Sequence, residues 1–591
     1  MPTNTALLFA HPDTIPGAFA RQARQRGDAP ALLGRTDAGW QSLTWRECSR
    51  RSELLASGLL RLGLQPGECV ALVLRTRPEW ALLELAVFLA GGVTTSIYPE
   101  NPAERQAFML RDSGARIAVC EDAEQLGKLL AHASDLPELR RLIALDAPGA
   151  NVWPATLRGS FVRRALEENP HFLPSLSQLA ALGESELERQ RAELELRAAT
   201  LQSDALATLL YTSGTTRVPK GVRLSHASLL ASGRSVAAHR APWRGAGEPL
   251  SIVAVPCAHI MARIGLFGSY IDGMPVALEP RPERLVQSCA EVGATGFATA
   301  PACCERLYAR LRTEPSGSLL RLLGGRVCSI WVGSAALPTH VTRWFWGEGV
   351  PLLECYGSTE CGFVSGCSPE HHALGSVGQP TPGTRMRLGA DGEILVNGPS
   401  TMLGYHQRPE DDSAAIEWID GERWLHTRDI GRLDPDGSLW IIGRKDDLFK
   451  TSMGGYISPE YLQCRLKDAS PLISRALIYG AGHPHVVALL TLDPTALQLW
   501  AAEHAALDAG SLHRHPALRA TLERQVAACN ERLSPHERIA AFMILERELS
   551  SAENELTELG KPRRALIFEK HRAQLEGLYA ARAASALAAP A

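Results

Sequence analysis

The sequence predicts a large α/β protein, and three observations lead to that fold class. Short apolar runs alternate with amphipathic helical runs through much of the chain, which is typical of helices layered on largely parallel sheets. The 591 residues exceed what one hydrophobic core usually serves, so at least two domains are expected. Apolar residues make up 45% and charged residues 21%, which indicates a folded chain rather than a disordered one.

The alternation of helix and strand begins early in the chain. Residues 45–62 and 80–90 predict helices, and residues 68–74 and 115–120 predict buried strands. The same rhythm returns later, with a helix predicted at 285–292 and strands predicted at 251–255, 296–300, 330–333 and 352–355. A charge-rich stretch at 184–201 predicts a solvated connecting helix.

The pattern changes after residue 375. From about 375 to 444, short strand-like runs are separated by many turn signals such as Asp391-Gly392 and Asp420-Gly421, which indicates a β-rich subdomain. A compact α+β segment is predicted after Arg444. These changes favour a division of the chain into residues 1–444 and 445–591.

Composition excludes several classes of function. A net charge of −3 offers no basic face, so we expect no nucleic-acid partner. None of the thirteen cysteines forms a C-x-x-C pair, and the spacing of Cys355, Cys361 and Cys367 suits no common zinc site. The longest apolar stretch, residues 82–93, is too short to span a bilayer. We therefore expect free thiols in the cytoplasm and no transmembrane segment, while peripheral membrane contact stays open.

One segment suggests phosphate binding. A strand-like run at 206–211 leads into TSGTT at 212–216, followed by Lys220. Backbone N–H groups freed by a glycine, hydroxyl donors and an ammonium are what a polyphosphate needs. The order of residues is not that of a Walker A loop, and a polar connector between a strand and a helix is an equally good interpretation of this segment alone.

Four further segments follow in order: ECYGSTECG at 354–362, WLHTRDIG at 424–431, GRKDD at 443–447 and ELGKPRR at 558–564. An aromatic face can stack on a purine, a hydroxyl can meet a phosphate and a carboxylate can hold a hard cation. Together the five segments resemble the adenylate-forming superfamily of acyl-CoA synthetases, peptide-synthetase adenylation domains and firefly luciferase. The resemblance runs from about Trp40 to Tyr579, and the connecting segments are similar to the long-chain fatty acyl-CoA synthetases.

The resemblance implies a fold in more detail. It is a large N-terminal domain of two α/β sheet lobes plus the β-rich subdomain, with a small mobile C-terminal α+β domain that turns about a hinge at Asp446. The resemblance also implies a nucleotide site. The residues around the phosphates, adenine and ribose are Thr212, Ser213, Gly214, Thr215, Thr216, Lys220, Gly333, Ser334, Ala335, Tyr356, Gly357, Thr359, Asp429 and Arg444.

Four residues would carry the chemistry by this resemblance. Glu360 would bind Mg²⁺, and His259 would lie beside the carboxylate pocket. Lys561 would reach the substrate carboxylate and the α-phosphate, where one cation relieves the repulsion between an anionic nucleophile and phosphate oxygens. Lys450 occupies the place of a lysine that relatives use in a second step.

The implied reaction joins a carboxylate to ATP, giving acyl-AMP and pyrophosphate, and then transfers the acyl group to coenzyme A. The long-chain resemblance favours a fatty or other lipophilic acid. Two alternatives stay open. The acceptor could be the phosphopantetheine of an acyl-carrier protein, or the chain could be a weakened acyl or nucleotide sensor.

Two positions depart from the family pattern. Arg217 and Arg428 stand where relatives carry glycine in the phosphate loop and in the T-G-D segment. Glycine there usually serves a positive φ or a close backbone approach, so arginine has a steric cost. Each arginine would also add a cation near an anionic ligand.

Overall fold

Two large sheets, each covered by helices, organise the N-terminal part of the chain in the computed structural model. The residues described are 6–145, 172–173, 175–212, 218–241, 243, 247–504, 512–550, 552–556 and 562–588. Both sheets are mixed but mainly parallel at their centres, as expected when helices connect successive strands. The predicted fold class is therefore confirmed.

The first sheet holds the strands that end at the predicted residues Gly333 and Tyr356. Within the described residues it has nine strands in the spatial order Gln379–Pro380, Gly362–Gly366, Leu352–Ser358, Ser329–Val332, Gly296–Thr299, Ser251–Val253, Val276–Leu278, Pro30–Thr36 and Gly39–Thr44. Its central strands pair in parallel, so their carboxyl ends meet at one edge. That edge is where ligands bind in open α/β sheets.

The second sheet holds the strand before the predicted phosphate loop. Its eight strands in the described part of the chain are, in spatial order, Gly404–Tyr405, Gly221–Ser225, Leu206–Tyr211, Val93–Ser96, Cys69–Val73, Ala115–Cys120, Arg141–Ala144 and Phe172–Leu173. Leu206–Tyr211 and Gly221–Ser225 are antiparallel neighbours, so the segment between them connects two adjacent strands.

Two helices join the sheets. The helices His226–His239 and Ile260–Asp272 pack against each other, and the first of them contacts strands of both sheets. Both are largely apolar and buried, which is typical of a helix enclosed between two layers. These two helices form one wall of the cavity described below.

A buried ion pair also crosses this layer. Arg263 donates to Glu84 and, at 2.7 Å, to the Thr208 hydroxyl, and both charged side chains are almost completely buried. The pair links the helix Ile260–Asp272 to the helix Pro78–Leu89 and to the second sheet. It therefore holds the two lobes together rather than facing the cavity.

The β-rich subdomain predicted at about 375–444 is an antiparallel sheet over 385–444, while Gln379–Pro380 and Gly404–Tyr405 within the predicted range join the first and second sheets. In the described residues the strands of this antiparallel sheet are Arg385–Leu388, Glu393–Asn397, Glu422–Leu433, Ile416–Ile419 and Leu439–Arg444. The chain leaves this sheet at Arg444, and the C-terminal part follows at once.

The C-terminal part has its own hydrophobic core. Its strands are Phe449–Lys450, Tyr456–Ile457, Ile473–Tyr479, Val486–Leu492 and Ile539–Ile544. Every buried residue of that core lies between Ile457 and Phe542, so none is supplied by the N-terminal sheets among the described residues. A separate core is the physical mark of a domain.

The described α-helices complete the architecture. They are Ile15–Arg26, Trp45–Arg61, Pro78–Leu89, Ala103–Asp112, Ala123–Leu130, Leu176–Thr200, His226–His239, Ile260–Asp272, Leu285–Val292, Pro301–Leu311, Ser318–Leu322, Thr339–Gly347, Pro409–Ala415, Pro459–Ala469, Pro494–Glu503, Pro516–Asn530, Arg564–Lys570 and Arg572–Ala588. Over the described residues, none of these helices combines the length and the hydrophobicity that a bilayer crossing needs.

One helix differs from its sequence-based prediction. The stretch predicted at 184–201 as a solvated connector begins earlier, as the helix Leu176–Thr200, and Ser175 caps it by accepting from the Gln178 amide. Its apolar residues are buried against the helix Trp45–Arg61. The two helices touch at Gly58 and Gly183, where an added Cβ would overlap the other backbone. The charges mark only its outer face.

Candidate active site

Two strands of the first sheet deliver the predicted adenine residues to its carboxyl edge. Gly333 and Ser334 follow Ser329–Val332, and Tyr356 and Gly357 lie at the end of Leu352–Ser358. Ser334 has φ of 74°, a left-handed conformation that a non-glycine residue rarely adopts. A Cβ on Gly333 would stand 3.0 Å from the Cys355 sulfur, so a larger residue here would have to push that side chain aside. Strain and close packing at one turn are typical of a binding site.

The predicted ribose residues meet the predicted adenine residue directly. The Tyr356 hydroxyl donates to the Asp429 carboxylate at 2.6 Å, and the Arg444 Nε lies 3.3 Å from the same carboxylate. Asp429 and Arg444 are register partners on adjacent antiparallel strands, which holds their side chains together. Burial raises the pKa of Asp429, and the Arg444 charge opposes that rise. The arrangement leaves an acceptor-rich carboxylate beside an aromatic ring, as a nucleoside requires.

The predicted phosphate lysine and metal carboxylate share a neighbour, Tyr405. Its hydroxyl donates to Glu360 at 3.1 Å, and the Lys220 ammonium lies 5.1 Å from the centroid of its ring. Lys220 also donates to the Asp411 carboxylate at 2.5 Å. Tyr405 thus contacts the Lys220 ammonium through its ring and the Glu360 carboxylate through its hydroxyl.

The composition of this cluster bears on the predicted magnesium site. Among the described residues, no group of three or more histidine, cysteine, aspartate or glutamate side chains is arranged to hold a metal. Mg²⁺ usually takes one or two carboxylates and completes its shell with water and substrate phosphates. Glu360 as a single protein ligand is compatible with that habit.

A cavity lined mostly by apolar side chains opens beside the predicted adenine residues. Its lining includes Gly333, Ser334, Tyr356 and Gly357 at one end and aliphatic and aromatic side chains beyond them. His259 lines it too, at the start of the helix Ile260–Asp272, where its Nδ1 accepts from the Met261 amide at 3.2 Å. A space with the predicted adenine residues at one end and an apolar interior suits an acid with a lipophilic tail.

The remaining predicted nucleotide residues fall into two groups. Ala335 directly follows Ser334 and Thr359 directly precedes Glu360 in the chain. The Thr212 amide donates to the Lys220 carbonyl at 3.1 Å. Ser213, Gly214, Thr215, Thr216 and Lys561 lie outside the described residues, as does Arg217. Their roles stay predictions.

Two predicted residues belong to the C-terminal part and are not among those that line the cavity. Lys450 is exposed on the strand Phe449–Lys450, with its ammonium 4.4 Å from the centroid of the Tyr456 ring. Asp446 is also exposed, and both of its carboxylate oxygens accept from the Arg428 guanidinium, with Nε at 2.7 Å. Sequence reasoning expected Arg428 to add a cation near the ligand, whereas in the structure its charge is neutralised by Asp446.

Sequence reasoning missed two side chains, Tyr405 and Asp411, and it missed the ion pair between Arg428 and Asp446. Tyr405 lies in the segment 401–416 that resembles the long-chain synthetases, so a signal was present, but no residue type there indicates a role. Asp411 lies 191 residues from its partner Lys220 along the chain. A contact over that separation leaves no local pattern.

A family model described as AMP-binding enzyme matches residues 19–406. The chain belongs to the AMP-binding enzyme family. A second model, the AMP-binding enzyme C-terminal domain, matches residues 446–583 of this AMP-binding enzyme. Residues 407–445 lie between the two matches and include Arg444, where the β-rich sheet ends. The second match begins at Asp446.

Named relatives align over nearly the full length of the chain. A long-chain-fatty-acid–CoA ligase, FadD15 of Mycobacterium bovis, is 29% identical over 92% of this chain and 93% of its own. The Drosophila melanogaster long-chain-fatty-acid–CoA ligase heimdall is 26% identical over 96% of this chain and 95% of its own.

Solved structures share the fold. The anthranilate CoA ligase AuaEII in complex with anthranoyl-AMP superposes with a TM-score of 0.72 at 20% identity, covering 95% of this chain and 97% of that one. The adenylation and carrier didomain of a carboxylic acid reductase from Segniliparus rugosus, in complex with AMP, gives 0.73 at 21% identity, covering 97% and 82%. This AMP-binding enzyme therefore has the two-part architecture of those proteins.

Proposed function

We propose that this AMP-binding enzyme joins a fatty acid to ATP, forming acyl-AMP and pyrophosphate, and then transfers the acyl group to the thiol of coenzyme A. One observation carries the proposal. The cavity places the predicted adenine residues Gly333, Ser334 and Tyr356 at one end of a space whose interior is apolar. The names of the full-length relatives support the same reaction and the same class of acid.

The first step needs a carboxylate oxygen to attack the α-phosphorus while pyrophosphate leaves. Asp429 and Arg444 would hold the ribose, and Tyr356 would set the plane of the adenine, so that the α-phosphate lies at the mouth of the cavity. His259 at that mouth would orient the acid. Positioning of this kind supplies much of the rate when the bond change itself asks little of the protein.

The negative charge of the phosphates requires cations around them. Lys220 would turn from Asp411 toward the β- and γ-phosphates, and Lys561 would bridge the acid and the α-phosphate. Glu360 would hold Mg²⁺, which when bound neutralises charge on the phosphate oxygens. The Tyr405 hydroxyl would keep the Glu360 carboxylate facing the phosphates.

The second step brings a thiol to the acyl-adenylate. We propose that residues 445–591 form the mobile domain, that Asp446 is its hinge and that the loop beginning at Lys450 closes over the adenylate. Such a closure keeps water from the mixed anhydride. The separate hydrophobic core of this part supports a rigid-body movement.

The test is carboxylate-dependent exchange of pyrophosphate into ATP by the purified chain, over aromatic and fatty acids of increasing length. We expect exchange with fatty acids and its loss in Lys561→Ala, with ATP binding retained. Intact folding and ATP binding without exchange for any acid would contradict the proposal.

The acceptor is tested separately. Preformed acyl-adenylate offered to coenzyme A and to a carrier protein bearing phosphopantetheine should yield the coenzyme A thioester. Preferential transfer to the carrier would assign the second step to carrier loading instead. A cytoplasmic location and peripheral contact with membranes remain predictions from the sequence.

A further inference from the structure

The acyl cavity follows one face of the first sheet. On the strand Ser329–Val332, Trp331 faces the cavity, while Ile330 and Val332 belong to a core on the opposite face. Because side chains alternate along a strand, Ser329 shares the face of Trp331, and Gly333 continues it at the carboxyl end. The cavity therefore has a direction, from the nucleotide end at Gly333 toward the start of the strand.

Three strands begin level with one another at the far end of this face. Ser251 pairs with Gly296, and Gly296 pairs with Ser329. These residues form a row at the amino-terminal edge of the sheet. Gly333 comes four residues after Ser329, so the row lies about 13 Å from the nucleotide end at ~3.3 Å per residue.

Trp243 lies across this row. Its indole Nε1 donates to the Ser329 hydroxyl at 2.6 Å, and its ring sits so close to Gly296 that an added Cβ would be 2.2 Å away. The side chain is 4% exposed. Trp243 and Ser251 of the row line the cavity, whereas Gly296 and Ser329 do not and are covered by the indole. The hydrogen bond to Ser329 fixes the edge of the indole, and the absence of a side chain at Gly296 leaves room for its face.

A buried ion pair strengthens the same end of the cavity. Arg240, which also lines the cavity, donates to both carboxylate oxygens of Asp272 at 2.8 and 2.7 Å. Both side chains are almost fully buried. The Arg240 carbonyl accepts from the Trp243 amide at 3.0 Å, which ties the indole to the pair. A hydrocarbon tail cannot displace such a pair without leaving buried charges unpaired.

We propose that Trp243 is the end wall of the acyl cavity and sets the longest chain that the enzyme activates efficiently. This inference rests on the proposed function. A methylene chain advances about 1.3 Å per carbon, given carbon–carbon bonds of ~1.5 Å in a zigzag. A depth of about 13 Å then accommodates roughly ten carbons, and a longer tail meets the indole.

The experiment measures kcat/KM for pyrophosphate release with hexanoate, decanoate and hexadecanoate. Wild type should prefer decanoate. In Trp243→Ala the ratio of hexadecanoate to decanoate should rise by about tenfold or more, since each additional buried methylene contributes ~0.8 kcal/mol. Trp243→Phe, which keeps a smaller wall, should give an intermediate ratio. Trp418→Ala is the matched control, because that tryptophan is 68% exposed on the β-rich subdomain.

The outcomes separate this inference from the proposed function. A wild type that activates no acid contradicts the proposed function. A wild type that activates decanoate, with an unchanged ratio in a folded Trp243→Ala, overturns only the role of Trp243. Preference of the wild type for hexadecanoate overturns it as well. If Trp243→Ala does not fold, the ratio in Trp243→Phe decides between the same two results.

Discussion

At the scale of single residues, the charge of Lys220 is already engaged before ATP arrives. The Lys220 ammonium donates a hydrogen bond to the Asp411 carboxylate at 2.5 Å, and it also lies over the ring of Tyr405. The two side chains of the ion pair are 29% and 32% exposed, so solvent screens the pair only in part. If Lys220 binds the phosphates as proposed, ATP competes with Asp411 for the ammonium, and the carboxylate also repels the phosphates.

Removing the negative charge of Asp411 should strengthen the binding of ATP. We expect Asp411→Asn to lower the KM for ATP by about threefold to fivefold, corresponding to roughly 1 kcal/mol, with little change in kcat. Steady-state kinetics and calorimetric ATP binding measure the effect. Glu410→Gln makes the same charge change at an exposed position on the same helix and should leave the KM unchanged. An increased KM in Asp411→Asn would show that the aspartate orients the lysine productively.

A second residue, Glu354, should make stability depend on pH. It is 7% exposed on the strand Leu352–Ser358, and burial raises its pKa to about 8. The folded state therefore keeps a proton that the unfolded state has lost from about pH 4.5 upward. Stability from this group is present below the unfolded pKa and falls as pH rises toward 8, by up to ~1.4 kcal/mol per unit.

Glu354→Gln should remove this slope. We expect the free energy of unfolding of the variant, measured in urea between about pH 5 and about pH 8, to fall less steeply than that of wild type. Glu370→Gln, at an exposed position, serves as the control and should reproduce the wild-type slope. Identical slopes in Glu354→Gln and wild type would show that Glu354 is ionised in the folded protein.

At the scale of elements, ion pairs link the β-rich sheet to the start of the C-terminal part, where Lys445 pairs with Asp391 and Glu393 and Arg428 pairs with Asp446. Arg428 lies within the strand Glu422–Leu433 but has φ of 61°, where glycine is favoured. Its guanidinium reaches Asp446, the predicted hinge. A left-handed non-glycine residue costs about 1–2 kcal/mol, and a half-exposed ion pair returns up to about 1 kcal/mol. The two effects nearly cancel.

Arg428→Gly should therefore change mobility more than stability. We expect the free energy of unfolding to shift by less than about 1 kcal/mol. Amide exchange at residues 445–448 should become faster because the linker loses one of its ion pairs, while Lys445 keeps those with Asp391 and Glu393. Asp446→Asn breaks the pair without relieving the backbone, so it should also speed exchange but lower stability slightly. Unchanged exchange in both variants would show that the pair does not restrain the linker.

At the scale of the whole molecule, two bodies with separate cores meet through polar contacts. His340 lies 3.2 Å from Asp468, the Ala336 amide donates to Glu460 at 3.3 Å, and Lys467 pairs with Glu305. The helix Pro459–Ala469 supplies all three contacts from the C-terminal side. An interface of this kind holds domains in register but allows relative motion.

Weak coupling of that kind predicts two unfolding transitions in calorimetry. Leu490→Ala removes a fully buried side chain from the C-terminal core and should lower only one transition, with a loss of about 2–5 kcal/mol. Leu352→Ala, in a core of the N-terminal part, should lower the other. A single transition shifted by both substitutions would show that the two parts unfold as one unit.

The sequence alone determined the fold class, including the β-rich sheet and a smaller C-terminal part, and it predicted a set of nucleotide-binding residues. These follow from local periodicity and from ordered motifs, because residues close together in the sequence determine which face of an element is buried and which chemistry a loop offers. The predicted grouping of Tyr356, Asp429 and Arg444 is met by direct contacts in the structure. The roles assigned to these residues remain to be measured.

Only the tertiary structure decided which distant side chains meet. Lys220 contacts Asp411, which is 191 residues away in the sequence, and Trp243 contacts Ser329, which is 86 residues away. Periodicity reports which face of an element is buried, but it does not say which side chain from another element will cover it. The position of Trp243 at the cavity and the partner of Lys220 therefore come from packing between layers, which no local pattern records.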